Sequence, residues 1–87
     1  MPELIAEIKD DLAKHPNELV REFVVVANER ITVNHDRPRF HYFEDRHSGL
    51  KNKVQVLVDA GYVRDISTNR LPIYRMSDQF VAFVNET

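Results

Sequence analysis

A chain of 87 residues has room for one domain around one core, because a protein this short buries only ~60–65% of its unfolded surface and leaves nothing for a second domain or a deep cleft. With 43% apolar and 30% charged residues it has the composition of a folded, soluble protein, and its zero cysteines exclude disulfides, thiolate nucleophiles and thiolate metal sites. The formal charge of −2 argues against strong non-specific attraction to phosphate.

Residues 2 to 14 carry Leu4, Ile5, Ile8 and Leu12 at helical spacing, with Pro2 suited to a first turn and Glu3 and Glu7 near the positive end of the helix dipole. Pro16 ends this segment. A second helix is expected from about Pro16 or Asn17, with Leu19, Phe23, Val26 and Ala27 on one face, widened by Val20 and Val24. The run Phe23 to Val26 has strand propensity, but the length of the segment without a turn signal favours a buried helix. Ile31-Thr32-Val33 reads as a brief strand before the turn-like Asn34-His35-Asp36, and Pro38 admits a short helix with Phe40 and Phe43 on one side and Tyr42 and His41 freer.

The clearest helix comes next. Ser48 is a good N-cap, Leu50, Val54, Leu57 and Val58 recur at core spacing, and Gly61 supplies the stop. The pattern then changes to Tyr62-Val63-Arg64-Asp65-Ile66, a polar turn Ser67-Thr68-Asn69-Arg70, and Leu71-Pro72-Ile73-Tyr74-Arg75-Met76, which reads as a hairpin with Pro72 placing its strand at an edge. Ser77 can cap a last helix whose core side is Phe80, Val81, Phe83 and Val84. There is no internal repeat.

Leu50 through Met76, an amphipathic helix ending Leu57-Val58-Asp59-Ala60-Gly61-Tyr62-Val63 and running into a polar hairpin, resembles the recognition helix and wing of bacterial winged-helix regulators. The resemblance implies an α+β, mostly helical fold: a winged helix at 16–84 with an additional N-terminal helix at 1–15 and a closing C-terminal helix, all one domain over 1–87. It also implies a recognition helix at about 48–60, a wing at about 62–76, and a role in DNA binding and transcription regulation. Such domains also serve as protein-interaction modules, and this chain could be one part of a longer protein.

Advancing the helix by about 100° per residue turns Asn52, Gln55, Val56 and Asp59 outward, with Lys51 and Lys53 on the flanks. Asn and Gln can pair bidentately with adenine, Val can touch a thymine methyl and lysines can hold phosphates. The candidate nucleic-acid contacts are therefore Lys51, Asn52, Lys53, Gln55 and Val56, with Arg70 at the wing tip. Each has an ordinary counterpart as a solvated face or a solubilising edge charge. A continuous positive stripe joining Lys51, Lys53 and Arg70 would favour double-stranded DNA; intervening acids or an exposed apolar patch would favour a protein partner. A homodimer is expected with DNA, since doubling the contacts raises the affinity of a small module, and either the Leu4 to Leu12 helix or the last helix could supply the interface.

The charge is unevenly spread. Residues 1–30 hold seven acids against four bases, 31–58 three against five, and 59–87 four against three, so the middle is the only basic stretch. Its segment Arg37-Pro38-Arg39-Phe40-His41-Tyr42-Phe43 interleaves bases with aromatics as single-strand binders do, although Phe40 and Phe43 are wanted in the core. His35, His41 and His47 do not align on one helix or one strand, so no metal is expected. No nucleophile and base, glycine-rich phosphate loop or carboxylate pair suggests catalysis, and no cofactor is implied. No apolar run approaches the ~20 residues of a membrane span, and Met1-Pro2-Glu3 lacks a signal-peptide start, so no membrane insertion and a cytoplasmic location are expected.

Overall fold

The structure, a computed structural model, describes residues 2–14, 20–28, 39–68 and 71–86. Within them the chain forms helix α1 (Pro2–Lys14), strands β1 (Glu22–Val26) and β2 (Phe40–Phe43), helix α2 (Leu50–Asp59), strands β3 (Val63–Asp65) and β4 (Ile73–Met76), and helix α3 (Asp78–Glu86). The strands make one mixed sheet in the order β2-β1-β4-β3, with β1 parallel to β2 and antiparallel to β4, and β4 antiparallel to β3.

All three helices cover the same face of that sheet. Leu4 and Ile8 of α1, Leu50, Val54 and Leu57 of α2, and Phe80, Val81 and Val84 of α3 form one buried cluster with Phe23, Val25, Phe40, Tyr42, Val63 and Met76 from the strands. The alternation of strand side chains sends Val24, Val26 and Ile73 to the opposite face, where they form a second buried cluster with Phe43, Ile66 and Leu71 packed against it. Helices gathered on one face of a largely antiparallel sheet make this an α+β protein.

Two expected helices are strands. Residues 22–26 form β1, between β2 and β4, and all five are buried. A strand with neighbours on both edges and core on both faces has no polar side, so Phe23-Val24-Val25-Val26 is apolar throughout, and β-branched residues suit the pleat better than the helix. Residues 40–43 form β2, and the alternation buries Phe40 and Tyr42 while His41 and Phe43 are half-buried. Phe40 and Phe43 therefore lie on opposite faces, and Tyr42, expected to be freer, is fully buried. The expected strand at Ile31–Val33 and the start of the expected second helix at Pro16 lie outside the described residues.

The second half follows the sequence closely. Gly61 adopts φ 81°, and the Tyr62 and Gly61 amides donate to the Leu57 and Val58 carbonyls at 3.0 Å each, which closes α2 with a left-handed glycine cap. At the start of α2 the cap position belongs to Gly49, at φ 67°, and not to Ser48; no side chain caps this end. Ser77 does cap α3: its Oγ accepts from the Phe80 amide at 3.0 Å and donates to the Tyr62 carbonyl at 2.9 Å. Strand β4 is internal rather than an edge. Pro72 sits one residue before it, where its missing N–H costs no ladder bond while its carbonyl accepts from the Val25 amide at 3.1 Å.

Candidate functional site

The face predicted to read DNA is assembled from α2 and the hairpin. Lys51, Asn52, Gln55 and Val56 are exposed, as their angular positions require, and Val56 keeps 55% of its surface. Lys51, Asn52 and Gln55 line an open groove of about 520 Å³ together with Ser67 and Thr68 of the hairpin and the Tyr74 ring. The hairpin is held firmly beside it. Ile66 N–H donates to Ile73 O at 2.9 Å, Ser67 Oγ accepts from Ile73 N–H at 3.0 Å, and Asp65 Oδ1 accepts from Ser67 N–H at 2.9 Å. The Ser67 hydroxyl, and then the Ser67 backbone amide, hold the Asp65 carboxyl below its ordinary range.

The polar groups of this face are not free of acids. Lys51 Nζ lies 3.9 Å from Glu44 Oε1, and Gln55 donates its amide to Asp59 Oδ1 at 2.9 Å. Lys53 is half-buried and turns away from the groove toward α1, where its charge helps hold the Glu3 carboxyl low, behind the larger effect of Glu3's own backbone amide. Arg70 lies outside the described residues. Lys51 and Lys53 therefore do not form a stripe, and Glu44 intervenes at the first of them.

A second surface groove, of about 710 Å³, runs between α1, the end of α2 and α3. Pro2, Ile5, Ala6, Leu57, Tyr62 and Phe83 make it almost wholly apolar, and Lys9 stands at its side. Phe83, predicted as a core residue, is 42% exposed and stacks on Tyr62 with ring centroids 5.5 Å apart. Its neighbours Phe80 and Val84 take the buried positions instead. Of the apolar stripe of α1, Leu4 and Ile8 are spent on the chain's own core, while Ile5 and Leu12 are half-buried.

The titratable groups that sequence reasoning did not bring together meet between α1 and β2. His47 is buried, and its Nε2 sits 2.6 Å from Glu7 Oε2, which ties the loop before α2 to the first helix. Its Nδ1 and the Tyr42 hydroxyl are buried without a hydrogen-bond partner among the described residues. Burial, and then the charge of Asp11, pushes the Tyr42 hydroxyl far above its usual range; burial in turn raises the Asp11 carboxyl, although the two do not reach hydrogen-bonding geometry. Among the described residues no three His, Asp or Glu side chains could hold a metal ion together. His41 sits on the opposite face of β2 from Tyr42, and His35 lies outside the described residues.

Among the described residues no helix is long and apolar enough to cross a membrane. No protein-family model, curated protein or solved structure matches this chain.

Proposed function

We propose that the chain is a non-enzymatic binding domain whose partner is a protein, with the winged-helix resemblance kept for Leu50 through Met76. The observation that carries this reading is the apolar groove floored by Ile5, Leu57 and Tyr62 and walled by the half-exposed Phe83. Water against such a surface is costly, and a contiguous apolar depression on a small chain marks an interaction site more often than chance exposure does. A groove between helices suits a partner segment that inserts a few apolar side chains, as an amphipathic helix does. The interrupted charge on α2 supports the same choice, because Glu44 and Asp59 stand beside the groups that would face phosphate and bases.

Double-stranded DNA is the second reading, favoured by Lys51, Asn52 and Gln55 lining one groove with Ser67 and Thr68 beside a hairpin. These are donors and acceptors of the kind that reach base edges and phosphates, and a homodimer would accompany this mode. Two measurements separate the readings. Phe83→Asp is expected to abolish capture of the cognate protein while leaving thermal unfolding nearly unchanged; retained capture would overturn the protein reading. Titrating the full chain against a random-sequence duplex pool at about 50 mM salt, where phosphate contacts are strongest, is expected to give no binding. Saturable binding weakened by Asn52→Ala would move the assignment to DNA.

A further inference from the structure

On the sheet face opposite the helices, the registers line up one row of four charged residues across all four strands. Arg64 of β3 faces Arg75 of β4, Arg75 faces Glu22 of β1, and extending the parallel register by one residue sets Glu22 beside Arg39, just before β2. Glu22 is buried, and each of its oxygens already takes a guanidinium: Oε1 receives Arg39 Nε at 2.8 Å and Oε2 receives Arg75 Nη1 at 3.2 Å. The row thus pairs Glu22 with Arg39 and Arg75 and leaves Arg64 as a further cation beyond them. The surplus falls at its open end, where Arg64 is exposed and makes no ion pair with any described residue, and where Arg75, 55% exposed, uses one of its five N–H donors on Glu22.

Like charges directly opposite on adjacent strands repel, and a bridging anion removes the repulsion. We propose that Arg64 and Arg75 form an anion site that takes a phosphate group, the planar guanidinium forks supplying paired N–H donors to its oxygens. Both residues line one surface groove of about 320 Å³, together with Gly61, Val63, Met76 and Ser77. Val63 and Met76, the alternate residues of the same strands, are buried under the helices, so the two guanidiniums are directed away from α2. The site is therefore separate from the α2 groove and from the apolar groove, and it stands whether the domain's partner is protein or DNA.

The probe is inorganic phosphate, with pyrophosphate as the stronger analogue and acetate as the carboxylate alternative, each titrated into the full chain at constant ionic strength set by sodium chloride. Saturable changes in the Arg64 and Arg75 Nε–H resonances are expected with phosphate. Arg64→Gln should weaken the affinity by about tenfold or more, the usual consequence of losing a charge-assisted fork, whereas Lys14→Gln should leave it unchanged. Arg64→Glu should abolish phosphate binding while raising the melting temperature at low salt, because it replaces a repulsive cross-strand pair with an attractive one. Resonance shifts that chloride reproduces, equal affinity in Arg64→Gln, or preference for acetate would each overturn the assignment.

Discussion

The two faces of the sheet solve different problems. The helix-covered face is ordinary apolar packing, in which Phe23 meets Tyr42 edge-on at 5.3 Å and stacks on Tyr74 at 5.4 Å beneath three helices. The other face has a smaller apolar cluster beside a charged row, and there stability depends on Glu22 being matched to its arginines. Apolar packing is non-directional and degrades gradually, while a buried charge that loses its partner is penalised at once. The difference separates what holds the domain together from what leaves surface chemistry available at its open edge.

Substitutions can break that comparison. Glu22→Ala is expected to cost about 3–5 kcal/mol, because it removes the buried carboxylate that accepts from both Arg39 and Arg75, and urea denaturation would measure it. Phe23→Ala is expected to cost a similar ~3–5 kcal/mol through lost contacts and a cavity. A double substitution distinguishes the two faces: replacing Glu22 together with Arg39 by well-packed apolar residues should recover much of the first loss, and no partner change should recover the second. Ser77→Ala should cost about 1 kcal/mol by uncapping α3, with amide protection lost more at the start of α3 than through the rest of the domain.

The smallest expected effect concerns pH at Asp11. Burial raises its carboxyl in the folded state, so the folded protein holds a proton at pH values where the unfolded chain has released it. The protonated form contributes stability that is present below the unfolded carboxylate value and is lost as the pH rises toward the folded one. Asp11→Asn should therefore remove a contribution that falls with rising pH, so that stability climbs more steeply from acid to neutral pH, and should be neutral or stabilising at pH 7; a flatter climb would contradict the assignment.

The sequence makes α2, the hairpin and α3 legible because they are punctuated by residues with one physical use each: Gly61 in the left-handed region and Ser77 at an N-cap. The segment 22–26 carries no such mark. A run apolar at every position fits a buried helix and a central strand equally well by period, and its β-branched content is the better guide. Residues 40–43 are too few to show a period, and filling the winged-helix order put a helix there. The exposure of Lys51, Asn52, Gln55 and Val56 follows from helical geometry alone, whereas Glu44 beside Lys51 comes from another segment and could not be read. The row from Arg64 to Arg39 needs the registers of four strands, which no local pattern encodes.

The most direct test of the protein-binding assignment is photocrosslinking of the full chain in its native cells, with a photoreactive phenylalanine analogue placed at position 83 in the apolar groove or at position 55 on α2. Discrete protein adducts from position 83, and no duplex adducts from position 55, are expected. Nucleic-acid adducts from position 55 with none to protein from position 83 would contradict the assignment and establish α2 as the working surface.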